Sequence, residues 1–418
     1  MSSTLTRKLT RVKPRTLYAG VDLALERNVV QVLSERAERL ARFSFPNDRD
    51  GYDYFLHRLD KLKDHYQAPD VLVAMETTNY FWKLLATELE QRRVEYRLVN
   101  SYTVKKHREG NQLDRSKDDQ RDAYTIADLL RTGKYTETQL LHGGYAELRQ
   151  QVVLHDRLKG DVRRQKTLID NIVGQLFPEL CGAFKDLTMA TPLAMLRRHG
   201  AATMIRHMSQ GAFVASVRAD FQGHRLMVSQ LCRAHRLAAQ SIGLQQGVQG
   251  LQLALRLHIE TLETLQQQVL ETEAALIDTF LALPEARYLL SVPSIGILTA
   301  ATILAEIGDP SHYRNGRQLV KLAGIQPVPN KSGNKSHSRT PMSHKGRPRL
   351  RTAVFFAVMR LVHRDEAFAH VYYCLQHREE DPLTKMEALG ALMNKLLRVL
   401  WSLMRYRRRY DPAVLLRT

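Results

Sequence analysis

The chain has 418 residues, 44% hydrophobic and 25% charged, with a formal net charge of +19; it is long enough for two or three domains, and its excess of Lys and Arg points to a polyanionic partner, nucleic acid first. No apolar run long enough to span a membrane occurs, and the basic N-terminus MSSTLTRKLTRVKPR lacks the apolar stretch of a secretory signal. Cys181, Cys232 and Cys374 lie too far apart for a zinc cluster or a disulfide framework, which fits a reducing cytoplasm.

Residues 1–16 read as a basic arm that orders on meeting phosphate. From Leu17 the pattern is that of strands: YAGVDL, VVQVL and ARFSF, the first two separated by the loop Ala24–Asn28. A helix is expected over Gly51–His65, followed by the apolar run VLVAM of a buried strand, which ends at Glu76. Asn79 reads as the cap of the next helix, YFWKLLATELEQ, and EYRLVN as one more strand. The order is three strands, helix, strand, helix, strand, helix, which predicts a mixed sheet covered by helices over residues 17–140.

The last of these helices carries SKDDQRDAYTIAD, with Ala123, Ile126, Ala127, Leu129 and Leu130 at helical spacing. Asp119 and Asp122 are three apart and share a face, so their like charges call for a cation between them, and Mg²⁺ prefers such hard oxygens. Asp114, Asp118 and Asp128 equally suit a solvated acidic helix. Asp22 and Glu76 end their strands, where ligands bind in open α/β sheets. One acid at a strand end is a common turn residue; four acids, two at strand ends and two on one helical face, form a pattern.

Residues 141–283 read as mostly helical, with long candidates over Leu148–Phe177 and Gln249–Phe280. Leu255, Leu262, Val269 and Leu276 repeat every seven residues, which predicts a coiled coil holding protomers together, with an internal helix hairpin as the alternative. Residues 181–245 are helical fragments broken by Gly200, Gly211 and Gly223. LLSVPSIGILTAATILAEIG then reads as a helix-hairpin-helix turning at Pro293–Gly296, where Gly296 offers backbone N–H to a phosphate, with a plain αα-turn as the alternative since Ser294 stands where Gly is usual. Pro310–Arg364 contains no Asp or Glu, while Arg314, Arg317, Lys321, Lys331, Lys335, Arg339, Lys345, Arg347, Arg349 and Arg351 accumulate without counter-charge; with Ser332 and Gly333 among them, this reads as a phosphate-gripping loop. A final helix, Lys385–Met404, leads to a basic tail over 405–418, whose Arg407, Arg408, Tyr406 and Tyr410 suit RNA by charge and stacking, with a disordered basic tail as the alternative.

Asp22, Glu76, Asp119 and Asp122 resemble the Asp-Glu-Asp-Asp set of RuvC-like, ribonuclease-H-fold nucleases. Lys117-Asp118-Asp119-Gln120-Arg121-Asp122-Ala123 is similar to the Lys-Thr-Asp-x-x-Asp-Ala motif of the DEDD transposases of the IS-one-ten and IS-eleven-eleven insertion sequences, relatives of the Piv DNA invertase. Asp118 replaces Thr, and Asn79 stands where a Gly is common. Gly324, Pro327, Ser332-Gly333, Lys345-Gly346 and Leu350-Arg351 resemble the same family's C-terminal signature.

That resemblance implies an α/β plus α protein. It would have a RuvC-like domain at 17–140, a helical and coiled-coil region at 141–283 and a C-terminal transposase domain at 284–404. It implies acids that bind Mg²⁺, with Mn²⁺ as a substitute, and Ser332 as the nucleophile; the residue chemistry alone does not choose Ser332 over Ser336, Ser338 or Ser343. It further implies DNA donor and target ends, a structured guide (bridge) RNA, a dimer or tetramer sharing active sites, no membrane, and the cytoplasm of a bacterium or archaeon, at the nucleoid. Two other classes fit the residues: a RuvC-like nuclease or junction resolvase that uses water, and a non-catalytic nucleic-acid-binding protein. The last gives no reason for four carboxylates gathered in a cationic chain.

Overall fold

Strict alternation of side chains builds the N-terminal sheet. Strands β1 (Leu17–Asp22), β2 (Arg27–Leu33) and β3 (Arg39–Pro46) pair antiparallel, while β4 (Val71–Glu76) and β5 (Tyr96–Val99) join parallel, in the order β3-β2-β1-β4-β5. The computed structural model describes residues 14–77, 80–111, 119–136, 140–223, 225–328, 331–332, 335–336 and 341–413. The chain divides into two compact units, Met1–Leu141 and His142–Thr418.

In the first unit, Leu17, Ala19 and Val21 of β1 and Val73 and Met75 of β4 share a core with Phe55 and Leu59 of α1 (Arg49–His65) and Leu85 and Leu89 of α2 (Phe81–Gln91). The alternate residues Tyr18, Leu72 and Ala74 face the other way. They pack with Ile126, Ala127, Leu129 and Leu130 of α4 (Asp119–Arg131). The element order is the one expected except for α3 (Ser101–Asn111), which the sequence reading missed. Among its described side chains only Val104 is buried, so it has no apolar stripe to betray it. It starts where the Asn100 side chain accepts from Tyr102 N–H at 2.9 Å. The expected cap Asn79 lies outside the described residues.

Two long helices dominate the second unit, α5 (Gly143–Leu176) and α10 (Val248–Ala282). They pack antiparallel: Leu148 and Val152 meet Leu276 and Phe280 at one end, His155 lies 2.8 Å from Glu273, His258 lies 2.8 Å from Gln165, and Ile169 and Val173 share a core with Leu255 and Ile259. The heptad row expected to hold protomers together is therefore filled by the chain's own helix. Leu255, Leu262 and Leu276 are spent on an intramolecular seam, the alternative considered.

One apolar core gathers at each end of this helix pair. At the Leu255 end it is completed by α6 (Ala190–Arg198), α7 (Ala202–Ile205), α8 (Gln210–Ala219) and α9 (Val228–Ala238), the stretch whose sequence order was unreadable. At the Leu276 end it is built from α11 (Ala286–Leu289), α12 (Ile297–Ile307), α13 (Gly316–Ala323), α14 (Pro348–Arg364), α15 (Glu366–His377) and α16 (Lys385–Tyr406).

The tail departs from expectation. After Arg407, in the left-handed region at φ 54°, the chain folds back; Tyr410 N–H donates to Ser291 Oγ at 2.9 Å, its hydroxyl lies 3.3 Å from both carboxylate oxygens of Asp365, and its ring packs against the core. Burial and then Asp365 push the phenol pKa up. Tyr406, Arg407 and Arg408 stay exposed, with the Arg408 guanidinium 5.9 Å from the Tyr406 ring centre. Among the described residues no helix is long and apolar enough to cross a membrane.

Candidate active site

Three of the four acids are aimed by strand alternation and one close backbone approach. In β1, Gly20 and Asp22 point to the face that carries α4, because a methyl built on Gly20 would sit 2.2 Å from Ala123 O and 2.4 Å from Ala127 N. In β4, Ala74 pairs with Gly20 and buries its side chain against α4, so Glu76, two residues on, points the same way. The two strands are parallel, and Val21 pairs with Met75, so both acids leave the same edge of the sheet.

Helix α4 runs against β1. Its C-terminal Arg131 donates to Glu35 O at 3.2 Å, beyond the strand-β2 residue Leu33 that pairs with Tyr18 near the start of β1. Its N-terminal turn therefore lies at the Asp22 end. Asp122, next to Ala123, is 7% exposed on the buried stripe with Ile126 and Leu129. Asp119 is one turn earlier on the same helix, and its side chain lies outside the described atoms. Asp128 is explained by structure: it meets His107 Nε2 and Arg131 Nε, each at 3.0 Å.

The donor set is chemically suited to a hard divalent cation, since every member is a carboxylate. Among the described residues no three His, Cys, Asp or Glu side chains already form a metal-holding group.

Ser332 belongs to a second arrangement. Strands β6 (Lys331–Ser332) and β7 (Lys335–Ser336) pair Lys331 with Ser336 and Ser332 with Lys335. Below them, Val328 N–H donates to Pro341 O and Ser343 N–H to Gln326 O, both at 2.9 Å, and Pro327 bridges Met342. The serine segment is thus an antiparallel hairpin whose legs are 324–328 and 341–346. The side chains of Lys331, Ser332 and Lys335, and residues Gly333 and Arg339 entirely, lie outside the described atoms.

Several expected phosphate contacts have partners inside the chain. Glu306, 2% exposed on α12, is met by Arg149 of α5 at 3.3 Å, by Arg349 at 2.9 Å and by Arg347 at 3.7 Å. Arg347 also donates to Glu306 O, and Arg349 reaches Asp156 as well. Burial, and then the neighbouring Arg149, push the Arg347 pKa down while Glu306 opposes them. Arg351 donates to Ala323 O at 2.9 Å and lies 3.4 Å from His344 O. The run read as lacking counter-charge therefore has it, from Glu306 just before the run and from Asp156 far upstream. Lys345 is exposed at the hairpin foot.

Ahead of α12 the chain makes a turn between α11 and α12. Ser294 holds φ 62°, a left-handed conformation in which glycine is at ease, and Gly296 caps α12 with open space around its Cα. Arg360 of α14 reaches the first turn of α12, donating to Thr299 Oγ1 at 2.9 Å.

Residues 19–178 match the DEDD transposase family of IS110, and residues 286–373 match the family described as Transposase IS116/IS110/IS902. Together these matches span more than half of the chain and contain all four acids and Ser332. The chain belongs to the IS110 transposase family. It is a DNA transposase or recombinase. Among its relatives, the protein assigned as the mini-circle transposase for IS117 in Streptomyces coelicolor is 25% identical over 339 residues, 77% of this chain and 78% of that one. An uncharacterized 43.6 kDa protein of insertion element IS110 from the same organism is 27% identical, over 69% of this chain and 71% of that one. The pilin gene-inverting protein of Moraxella lacunata is 30% identical over 136 residues, 31% of this chain and 41% of that one.

The family words acquire physical content in this transposase. Gly324 ends α13 at φ 69°, and a methyl on Gly346 would sit 2.3 Å from Gly324 N, so the two glycines let the hairpin legs cross backbone to backbone. Leu350 is fully buried. Sequence reasoning missed Glu306 and Arg149. The available signal was an acid inside the apolar helix ILTAATILAEI, which demands a buried cationic partner.

Proposed function

We propose that this transposase cuts and rejoins DNA, with Asp22, Glu76, Asp119 and Asp122 holding Mg²⁺ (or Mn²⁺) on a RuvC-like, ribonuclease-H-like sheet and Ser332 attacking the phosphodiester. The observation that carries the reading is the crossing of α4 over Gly20, which supports one carboxylate edge made by β1, β4 and the first turns of α4. Bound metal would lower the pKa of an attacking hydroxyl and stabilise the leaving oxygen. The Ser332 oxygen forms a bond to phosphorus, the DNA oxygen leaves with a proton, and a second DNA hydroxyl later displaces the serine. The phosphodiester energy is kept in the serine ester between the two steps. Asp22, Glu76, Asp119 and Asp122 would supply the carboxylate oxygens that hold the ion.

Nucleic acid would be gripped by Lys331, Lys335, Arg339 and Lys345 at the hairpin, by the α12 N-terminus at Gly296 acting as a helix-hairpin-helix, and by Arg407 and Arg408 at the end of α16. Target choice by a structured guide RNA and assembly into a dimer or tetramer complete the proposal; the α5–α10 seam is already filled, so association uses other surfaces.

The test is the covalent adduct. The protein, purified from cells that carry the gene with its native flanking DNA, is incubated with that DNA and Mg²⁺, then denatured. A DNA end should remain attached, and Ser332→Ala should abolish both the adduct and strand exchange. Ser336→Ala and Ser338→Ala should weaken them by no more than a neutral hydrogen bond, about 0.5–1.5 kcal/mol. Free ends and continued cleavage by Ser332→Ala would identify a hydrolytic nuclease instead. Mixing Ser332→Ala with Asp119→Ala protein reads out sharing between chains as recovered activity.

A further inference from the structure

The foot of the serine hairpin is tied more tightly than a flexible loop requires. His344 N–H donates to Gly324 O at 2.9 Å, Arg347 N–H donates to Leu322 O at 2.7 Å, and Met342 is seated on Gly390 of α16, where an added methyl would meet its Cε at 2.3 Å. One side chain joins the two legs directly. Arg351 Nη1 donates to Ala323 O, at the end of α13 one residue before the outgoing leg, and approaches His344 O on the returning one. It lies against Gly324, 3.0 Å from where a methyl on that residue would be. Among the described residues it meets no carboxylate, unlike Arg347 and Arg349, and its Nη1 is given to carbonyls.

We propose that Arg351 is a positioning residue for the Ser332 hairpin, fixing the direction in which the serine is presented by tying its two legs together at the foot. The inference rests on the reading of Ser332 as nucleophile. Leverage gives the effect its size. Ser332 is eight residues beyond Gly324, a reach of up to about 26 Å at roughly 3.3 Å per residue. A swing of about 10° at the foot over such a reach moves the serine by up to about 4.5 Å, where a displacement of about 1 Å can already cost 100-fold in rate. Lysine is a poor replacement, because it puts a compact, strongly hydrated ammonium on a flexible stem where the planar guanidinium directs one nitrogen at both carbonyls.

The experiment compares Arg351→Lys with wild type in full-length protein purified with the nucleic acid it carries. Adduct formation is measured against concentration of the native flanking DNA. The rate at saturating DNA should fall about 100-fold or more, while the half-saturating concentration, the salt slope of DNA binding and the melting temperature stay near wild type. Arg351→Ala should be as slow and should recover rate with added guanidinium but not with ammonium. An unchanged saturating rate overturns the proposal. So does a weakened affinity with the salt slope smaller by about one and the saturating rate intact, which is the signature of a phosphate contact. Ser332→Ala run in parallel separates the two claims: if it still exchanges strands, the nucleophile reading fails; if it is dead while Arg351→Lys is fully active, only the positioning role fails.

Discussion

Glu306→Gln is the most exacting test of the C-terminal fold. The carboxylate is 2% exposed and faces three guanidinium groups drawn from two helices and a cap: Arg149 of α5, Arg349 of α14 and Arg347 just before α14. Glutamine keeps the volume and one acceptor oxygen but removes the carboxylate that all three arginines meet, leaving Arg349 its contact with the exposed Asp156. Deleting one partner of a buried ion pair costs about 3–5 kcal/mol. The three arginine side chains remain 27%, 27% and 30% exposed, so water screens part of the repulsion. The lower end, about 3 kcal/mol, is expected. For a unit the size of His142–Thr418, at roughly 2 °C per kcal/mol, that lowers the melting temperature by about 6 °C. Scanning calorimetry reads it directly. Adding Arg349→Met to Glu306→Gln should restore part of the loss, because one stranded charge is gone. A melting temperature within about 1 °C of wild type for Glu306→Gln would refute the claim that the cluster ties α14 to α5 and α12.

Gly20→Ala should lose DNA cleavage without touching DNA, because its methyl overlaps the α4 backbone at Ala123 and Ala127; overpacking of this kind costs about 1–3 kcal/mol, and wild-type cleavage with a wild-type urea midpoint would sink the reading. Tyr410→Ala should destabilise the C-terminal core and weaken RNA binding little, since the ring is docked and its hydroxyl faces Asp365; a selective loss of RNA affinity at unchanged stability would return Tyr410 to a stacking role. His199 has its pKa held down by burial first and Arg198 next, with Ser216 Oγ at 2.8 Å. The unfolded chain takes up a proton that the folded chain resists, so stability is intact above the ordinary histidine range and falls as pH drops through and below it. His199→Gln should flatten that decline in urea titrations, and an identical decline would assign it to other groups.

What was legible in the sequence follows the physics of each signal. Strand alternation and the run VLVAM are strong because a sheet buried on both faces admits few other residues, and helices α5, α10 and α16 were visible through long amphipathic repeats. Helix α3 was invisible because it buries one valine among its described side chains and is otherwise polar. The heptad row of α10 was correctly read as a seam and misread as intermolecular, since sequence spacing specifies that a stripe is covered and is silent on what covers it. The acids Asp22 and Glu76 could be named from their places at strand ends. Their common direction comes from Gly20, whose lack of a side chain carries a meaning only when α4 is seen lying on it.

Charge was the least legible signal, because a cation's sequence neighbours need not be its spatial ones. The acid-free run Pro310–Arg364 appears in sequence as uninterrupted positive charge available to phosphate. In the fold, Arg347 and Arg349 are claimed by Glu306 and Asp156, and Arg351 by backbone oxygens. Arg347, Arg349 and Arg351 at the hairpin foot are tied within the chain, whereas Lys345 there is exposed and Lys331 and Lys335 flank Ser332 in sequence. An arm that must place one hydroxyl against a phosphate needs both properties, and they conflict if the same residues supply them: a guanidinium that grips DNA cannot also hold a fixed hydrogen bond to its own backbone. On the proposed role of Ser332, separating them would let DNA bind and leave near the serine without loosening the foot, so binding strength and serine placement would vary independently of each other.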